Sequence, residues 1–375
     1  MNQTFTRREW LSTGLKLGGG AALAGTGLLP MPAVASTKFR RGEPARMMYN
    51  ENPYGPSASV RRAMRKALDE ANLYNMDLAV PKLKALIAEQ VNLTPKHIFI
   101  GVGSTEILNA AALIYGMNGG EILTSDPTFE SIHVYGKTIG ASLRKVPLRD
   151  DFEMDIPNLR KAISRKTKLV YVCNPNNPTG NITPDRKLRP FCEDASKKAL
   201  VFVDEAYHEY VRDRRYKSLV DMVKAGKNVL VSRTASKIHG LAGMRIGFGI
   251  AKPEIVSALE PHMTAMSLNN IVGLRAALAS YGDANHQAFC LRKNNEARKV
   301  ITDLLDEMGR RYAPSETNFI FFHTGQPIEQ FQAEMEKRGV LVGRPFPPYL
   351  DWCRLSLIKP GEMSLFIRAF REVMA

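Results

Sequence analysis

The stretch SRTASKIHGLAGMRIG, residues 232–247, carries the most informative pattern in the chain. Lys237 lies in it among small hydroxyl residues, and Arg245 follows eight positions later with glycines between them. The apolar runs 228–232 and 245–251 on either side indicate short buried strands. A lysine at the mouth of a strand, flanked by hydroxyls and a second cation, is suited to meet a ligand that carries both an anion and a carbonyl group.

Upstream of this stretch, short apolar runs alternate with segments of helical periodicity. The runs predicted as strands are residues 97–101, 121–126, 168–173 and 199–203. Such alternation favours an α/β fold with a mostly parallel, doubly wound sheet. Ligands of these sheets bind at the carboxyl ends of the strands. Polar side chains stand at those predicted ends, namely Ser104, Asn177, Asp204 and Lys237.

Beyond residue 252 the pattern changes to long helices with few strands. This change indicates a smaller α+β domain, to which the segment before residue 70 is expected to contribute. The predicted organisation is a signal segment over 1–35, an N-terminal segment of the small domain over 36–70, a large ligand-binding domain over 71–265, and a C-terminal small domain over 266–375.

Composition narrows the class of protein. The 375 residues, 44% of them hydrophobic, suffice for one large core and a smaller one. The body of the chain has no apolar run of about 18 residues, which excludes a polytopic membrane protein and predicts no stable membrane association. Lysine and arginine outnumber acidic residues by 52 to 37. Because these cations are scattered, attraction of anionic substrates is favoured over nucleic-acid binding.

The cysteines give no sign of a metal site. The sequence has four of them, Cys173, Cys192, Cys290 and Cys353, and they are widely separated. None stands at the spacing of a CxxC motif or a Cys/His ligand pair. Buried free thiols and no metal are therefore predicted.

The N-terminus resembles an export signal. Residues 6–11, TRREWL, resemble a twin-arginine motif, a Gly/Ala/Leu-rich run follows over 15–29, and AVA at 33–35 offers a cleavage site before Ser36. These three signals in this order predict export by the twin-arginine (Tat) machinery and a periplasmic location, with an uncleaved anchor as the alternative. The Tat pathway moves folded proteins, so any cytoplasmic cofactor would be acquired before export.

Two further groups point to a particular cofactor. Gly103, Ser104 and Thr105 follow a predicted strand and begin a helix, where free N–H groups accept a phosphate, although an ordinary helix start has the same pattern. Asp204 ends an apolar run, where a carboxylate is costly unless a cation or hydrogen-bond donors meet it. A pyridinium N–H is such a partner. With a lysine that takes an aldehyde as a Schiff base, these groups predict pyridoxal 5'-phosphate (PLP).

Four ordered motifs carry a family resemblance: NNPTG at 176–180, DEAY at 204–207, SKxxGLAGxRxG at 236–247 and CRLSL at 353–357. Together they resemble the class I and II aminotransferases of PLP fold type I, and within them the histidinol-phosphate aminotransferase branch. The resemblance implies a large domain with a mostly parallel seven-stranded sheet flanked by helices, plus a smaller α+β domain. It also implies a homodimer with shared sites and ping-pong transamination through pyridoxamine phosphate.

Carried onto the matching positions, the resemblance implies a role for each site residue. Lys237 would bind the cofactor aldehyde and later carry the proton between the substrate Cα and C4′ of the cofactor. Asp204 would pair the pyridine nitrogen, and Tyr207 would join these two as a catalytic residue by bonding the ring's 3′-oxygen together with Asn177. Phe129 would stack on the cofactor ring, and Tyr74 would reach the phosphate in the neighbouring subunit. The remaining cofactor-binding residues would form a cup around the phosphate: Gly103, Ser104, Thr105, Thr234, Ser236 and Arg245.

Substrate binding is implied for Asn177 and Arg354, the latter matching an arginine that grips a substrate carboxylate or the phosphate of histidinol phosphate. The chain departs from the branch around Tyr74, where LYNMD at 73–77 stands in place of the usual RYPD. Arg344 has two open interpretations, a substrate-facing arginine or a surface arginine on a proline-stiffened loop. His239, although close to Lys237, is interpreted as a packing or loop residue.

The leading functional hypothesis is an aminotransferase that moves an amino group between an amino acid, or a histidinol phosphate-like amine, and a 2-oxo acid. A C–S lyase or decarboxylase with nearly the same cofactor residues is the alternative, and a non-catalytic PLP or amino-acid binding protein is a third. The complete set of cofactor residues disfavours the third. The substrate stays open, because an exported enzyme would not ordinarily meet cytoplasmic histidinol phosphate.

Overall fold

The computed structural model describes residues 43–74, 79–264 and 269–374. The expected export signal and its cleavage site lie outside the described residues, as do the positions 75–77 that follow Tyr74. The strands of the described part are β1 Ala45–Met47, β2 Ile98–Val102, β3 Glu121–Asp126, β4 Ser142–Pro147, β5 Thr167–Cys173, β6 Leu200–Asp204, β7 Val229–Thr234, β8 Ile246–Ala251, β9 Phe319–His323, β10 Val340–Val342 and β11 Trp352–Ser356.

Helices connect most of these strands. The α-helices of the described part are α1 Ala58–Ala67, α2 Ala79–Gln90, α3 Ser104–Gly116, α4 Ser131–Thr138, α5 Ile156–Ala162, α6 Asp185–Ala195, α7 Val220–Lys224, α8 Pro253–Leu259, α9 Ile271–Tyr281, α10 Ala284–Glu307, α11 Ile328–Lys337 and α12 Ser364–Met374. Short 3₁₀ turns cover Leu68–Glu70, Pro95–His97, His208–Tyr210, Ala242–Met244, Glu260–His262 and Pro360–Glu362. Among the described residues, no helix is both long and apolar enough to cross a membrane.

The central sheet has seven strands within the described residues, in the order β2-β8-β7-β6-β5-β3-β4. Neighbouring strands are parallel except at β8, which runs antiparallel to both β2 and β7. The register sets Cys173, Asp204 and Ser232 side by side on β5, β6 and β7. This alignment places three adjacent side chains at the carboxyl edge of the sheet, which is the edge where ligands of such sheets bind.

Apolar side chains alternate between the two faces of this sheet, and helices bury both faces. Val201 and Val203 of β6 belong to one core with α2, α6, α7 and α9, whereas Leu200 and Phe202 belong to a second core with α3 and α8. A strand that is buried on both faces reads as a continuous apolar run, which is why β5, β6 and β7 could be predicted from the sequence.

A smaller part is built from β1, β9, β10 and β11 with the C-terminal helices. Strand β1 pairs in parallel with β10, and β9 pairs antiparallel with β11. Their apolar side chains share a separate core with α10, α11 and α12. The pairing of β1 with β10 brings the start of the described chain onto the C-terminal part.

The predicted fold class is confirmed: a mostly parallel sheet is flanked by helices, with a second α+β part. Ile271 and Leu274 of α9, which follow the expected domain boundary at 265/266, pack into the core of the large sheet. Helix α4 and strands β1 and β4 were not predicted. Strand β4 is an edge strand whose side chains are mostly exposed, so it has no apolar run to reveal it.

Candidate active site

A cavity of about 340 Å³ opens at the carboxyl edge of the central sheet. Residues after β3, β5, β6 and β7 line it on one side, and residues of β11 and of the loop before β11 line it on the other. Its volume lies at the lower end of the range of about 300–1,000 Å³ that is usual for small-molecule sites. The cavity therefore combines the sheet edge with the smaller α+β part.

Lys237 lies in this cavity, three residues beyond the end of β7. Its Nζ donates to the backbone oxygen of Asn50 at 3.3 Å and lies 5.5 Å from the ring centroid of Tyr207. Burial lowers the pKa of the Lys237 amine to about 8, and Arg354 adds to this effect while Asp204 opposes it. An amine with this pKa has a neutral, nucleophilic fraction near neutral pH.

Asp204 ends β6 at the floor of the same cavity, with only 3% of its surface exposed. Its carboxylate accepts hydrogen bonds from the Tyr171 hydroxyl at 3.0 Å, the Ala206 N–H at 3.1 Å and the Ser232 hydroxyl at 3.4 Å. Burial nevertheless raises the pKa of Asp204, because these neutral donors do not repay the loss of water. A ligand that brings a cationic N–H would stabilise the ionised form, which fits a pyridinium ring.

Tyr207 and Asn177 line the cavity beside these two residues. The Tyr207 hydroxyl accepts from Asn50 Nδ2 at 3.0 Å, and burial raises the pKa of Tyr207, so it remains a neutral donor. Asn177 Oδ1 accepts from Arg354 Nη1 at 2.8 Å, which leaves its amide N–H groups as donors. Both side chains can therefore donate to an oxygen of a bound ligand.

Hydroxyl groups, helix N–H groups and one arginine form an anion cup in the cavity. Helix α3 begins at Ser104, and the backbone N–H groups of its first turn, which have no partner within the helix, lie at its positive end. The cavity lining includes the cup residues Ser104, Thr105, Thr234, Ser236 and Arg245. Arg245 Nη1 is 3.4 Å from Ser236 Oγ, and Ser236 in turn bonds Thr234 at 3.0 Å. This donor set, with a fixed cation, suits a phosphate.

Two glycines keep the cup open. Gly103 has a φ of +73°, and a β-carbon at this position would collide with the guanidinium of Arg245. A β-carbon at Gly247 of β8 would collide with the backbone of Gly103 and Ser104. Gly103 therefore borders the cup through its contact with Arg245, and only glycine allows the backbone and the arginine to approach so closely.

Arg354 of β11 brings a further cation to the cavity. Its Nη1 bonds Asn177, and its Nη2 donates to the backbone oxygen of Met48 at 2.5 Å. Burial lowers the pKa of Arg354 to about 10, so it stays charged at neutral pH. Its buried Nε has no hydrogen-bond partner among the described residues. A buried guanidinium with spare donors is suited to bind a carboxylate.

The structure brings Phe129 to the cavity and leaves Tyr74 outside it. Phe129 lies among the lining residues, after the end of β3. Tyr74 does not line the cavity and is 88% exposed. His239 is buried, bonds Ser280 Oγ at 2.9 Å and packs against the Tyr281 ring. That placement agrees with the interpretation of His239 as a packing residue.

Several cavity residues were not predicted from the sequence. Asn50 contacts both Lys237 and Tyr207, and the turn-rich composition of its segment was the available signal. Glu130 and Phe346 line the cavity as well, as does Arg344, whose role was open. Nothing in the local sequence links Glu130 to Arg344, because the fold joins segments far apart in the chain.

In the part of the chain that the structure describes, no group of His, Cys, Asp and Glu side chains is placed to hold a metal ion. All four cysteines belong to that part, and each is buried and free.

The chain is similar to known proteins over most of its length. The family "Aminotransferase class I and II" matches residues 46–370. A histidinol-phosphate aminotransferase of Moorella thermoacetica is 35% identical over 329 residues, 87% of this chain and 84% of that protein. One from Brevibacillus brevis is 36% identical over 81% of this chain and 83% of that protein. The crystal structure of a histidinol-phosphate aminotransferase from Sinorhizobium meliloti in complex with pyridoxal-5'-phosphate has a TM-score of 0.82 at 28% identity, covering 88% of this chain and 91% of that chain.

Proposed function

Because this chain belongs to the class I and II aminotransferases and takes PLP as its cofactor, we propose that it exchanges an amino group between an α-amino acid and a 2-oxo acid, with Lys237 as its central residue. The observation that supports this most directly is the shared cavity of Lys237, Asp204 and Arg354. One cavity then contains an amine that is partly neutral near neutral pH, a buried acid, and a cation that is suited to bind a carboxylate.

Each residue has a task that follows from its surroundings. When bound, PLP supplies the aldehyde that takes the amino group and a ring that stabilises negative charge on the substrate carbon. The depressed pKa of Lys237 lets its amine take a proton from the substrate Cα and then give it up again near neutral pH. Asp204 would keep the ring nitrogen protonated, and Asn177 and Tyr207 would donate to the ring oxygen.

Positioning is the task of the remaining residues. The anion cup of Ser104, Thr105, Thr234, Ser236 and Arg245 would hold the phosphate, and Phe129 would pack against the ring. Arg354 would hold the substrate carboxylate, which fixes the Cα next to Lys237. A histidinol phosphate-like amine is a second candidate donor, because the named activity of the relatives uses one.

A single-turnover experiment tests the proposal. The purified holoenzyme is mixed with amino acids, and the formation of pyridoxamine phosphate and a 2-oxo acid is expected. Lys237→Ala should lower that rate by about 10²–10⁴-fold, as expected when a proton-transfer residue is removed. Lys224→Ala, at an exposed lysine of α7, is the control. Release of ammonia with pyruvate, or of CO₂, would instead support the lyase or decarboxylase alternative.

We also propose a homodimer in which Tyr74 contributes to the neighbouring site. Tyr74 and the adjacent Leu73 expose 88% and 57% of their surface, and Tyr74 is not among the residues that line its own chain's cavity. Subunit mixing tests this. Lys237→Ala and Tyr74→Ala subunits, each impaired alone, should regain activity when mixed, because one site of each hybrid then has both residues. Activity that does not rise on mixing contradicts a shared site.

The third proposal is export to the periplasm by the twin-arginine machinery. It rests on the ordered signals at 6–11, 15–29 and 33–35. A donor met in that compartment would differ from the phosphorylated intermediate that the relatives are named for. Export therefore favours a common amino acid as the donor.

A further inference from the structure

An ion pair stands at the outer side of the substrate cavity. Arg344 Nη2 lies 2.6 Å from Glu130 Oε1, and both side chains are about half exposed. Both residues line the cavity. Glu130 immediately follows Phe129 after β3, whereas Arg344 follows β10. The pair thus links the large sheet to the smaller α+β part across the cavity.

One aromatic ring joins this pair to the buried arginine. The guanidinium carbon of Arg344 lies 4.2 Å from the centroid of Phe346, and that of Arg354 lies 4.9 Å from the same centroid. Phe346 is only 4% exposed. The two guanidiniums therefore contact the same ring. Arg354 is the inner cation and Arg344 the outer one, as their burial shows.

The charged residues that line the cavity divide between the cofactor and the substrate. Once Lys237, Asp204 and Arg245 are assigned to the cofactor, Glu130, Arg344 and Arg354 remain for the substrate. Arg354 would take the carboxylate that every α-amino acid carries. Glu130 neutralises Arg344, so no uncompensated charge is left for the side chain of the donor.

We propose that Glu130 is a specificity-determining residue that, by pairing with Arg344, makes the enzyme favour amino donors with an uncharged side chain over donors with a second acidic group. This inference rests on the proposed transamination. An uncharged side chain can lie against Phe129 and Phe346 and leave the ion pair intact. An acidic side chain must break the pair or place its carboxylate beside Glu130, and either event is unfavourable.

Kinetics with donors of similar shape and different charge test the inference. L-Glutamate, L-glutamine and L-phenylalanine are compared in the single-turnover conversion of the holoenzyme to its pyridoxamine phosphate form. Wild-type enzyme should prefer the two uncharged donors. Glu130→Gln should raise kcat/KM for L-glutamate about tenfold relative to L-glutamine, mainly through KM, because it frees Arg344 and removes the repelling charge.

A second substitution separates charge from structure. Glu130→Gln combined with Arg344→Gln should lose the gain for L-glutamate, because the freed cation is then absent. Glu307→Gln is the matched control, since Glu307 forms a comparable half-exposed ion pair with Arg371 away from the cavity. This control should keep the wild-type donor ratio. Equal donor ratios in wild-type enzyme and Glu130→Gln would overturn the inference.

A binding measurement gives a readout that does not depend on turnover. Glutarate and pentanoate are unreactive acids that differ by one carboxylate. Glu130→Gln should tighten the binding of glutarate to the holoenzyme and leave that of pentanoate unchanged; equal changes for both acids contradict the inference. If no donor yields pyridoxamine phosphate with the wild-type enzyme, the proposed function fails instead, so the two failures are distinguishable.

Discussion

The pKa values of Lys237 and Asp204 are displaced toward each other because both groups are buried in one cavity. Burial disfavours the charged form of each group, so the pKa of the lysine falls and that of the acid rises. Their mutual attraction opposes both shifts without cancelling them. The apoenzyme thus has an amine ready to react with an aldehyde, and an acid that a cationic ring would stabilise.

The pH dependence of cofactor capture tests the state of Lys237. Only the neutral amine attacks an aldehyde, so the rate at which apoenzyme binds PLP covalently should rise with pH and level off above an inflection near 8, the pKa of Lys237. For an ordinary lysine the inflection would lie at a pH of about 10.4. Stopped-flow absorbance measures the rate. Lys237→Ala is the control and should give no covalent capture; an inflection above pH 10 contradicts the burial effect.

A second residue-scale prediction concerns Tyr171, whose hydroxyl bonds Asp204 at 3.0 Å. Tyr171→Phe removes one donor from the buried carboxylate and so further disfavours its ionised form. We expect kcat to fall about five- to tenfold with KM nearly unchanged, the effect of one hydrogen bond of about 1–1.5 kcal/mol. Tyr312→Phe, which removes an exposed hydroxyl bonded to Asp306, is the control. An unchanged kcat for Tyr171→Phe would contradict a supporting role.

Most of what could be predicted from the sequence concerns secondary-structure elements. Strands β5, β6 and β7 are apolar on both faces, so their existence and their polar carboxyl ends were readable from the sequence. The edge strand β4 was not readable, because its mostly exposed side chains and its two charged residues, Arg144 and Lys145, hide its pattern.

Contacts between distant elements were also beyond prediction. Lys237 meets Asn50, and Glu130 meets Arg344, only because the smaller part closes over the sheet edge. Local periodicity reports which face of an element is buried and says nothing about which element covers it. The family resemblance supplied the cofactor residues, because an ordered set of motifs indicates which distant residues lie together in the fold. Secondary-structure propensity carries no such information.

The contribution of the strand–turn–helix element formed by β2 and α3 to cofactor binding can be tested by substituting Gly103. Gly103→Ala forces a β-carbon into the Arg245 guanidinium at a positive φ. We expect the dissociation constant for PLP to rise about tenfold or more, because Arg245 is displaced from the phosphate cup. Equilibrium dialysis of apoenzyme with PLP measures it.

Gly119→Ala is the matched control for this substitution. Gly119 also has a positive φ, of +80°, but open space surrounds the position of its β-carbon. Both variants should lose about 1–3 kcal/mol of unfolding free energy through backbone strain, measured by urea unfolding of the apoenzyme. Only Gly103→Ala should weaken PLP binding. If both variants bind PLP equally well, the collision with Arg245 does not control the cup.

At the scale of the whole molecule, the cofactor connects the way the chain folds with the proposed export to the periplasm. The cavity is formed jointly by the central sheet and the smaller α+β part, so the cofactor site exists only in the folded chain. Cofactor that binds the folded chain alone stabilises it by mass action. A pathway that moves folded proteins would therefore export the enzyme with its cofactor in place.

Replacement of the twin arginines tests this link. Arg7→Lys combined with Arg8→Lys should retain the full-length chain in the cytoplasm, because the machinery reads the arginine pair and not its charge. The unaltered chain should appear in the periplasmic fraction, shortened by residues 1–35 and carrying PLP, as shown by mass spectrometry and absorbance. Arg40→Lys combined with Arg41→Lys, a basic pair beyond the expected cleavage site, is the matched control and should be exported normally. Periplasmic enzyme in the first double variant would contradict twin-arginine export, and periplasmic apoenzyme from the unaltered chain would contradict loading before export.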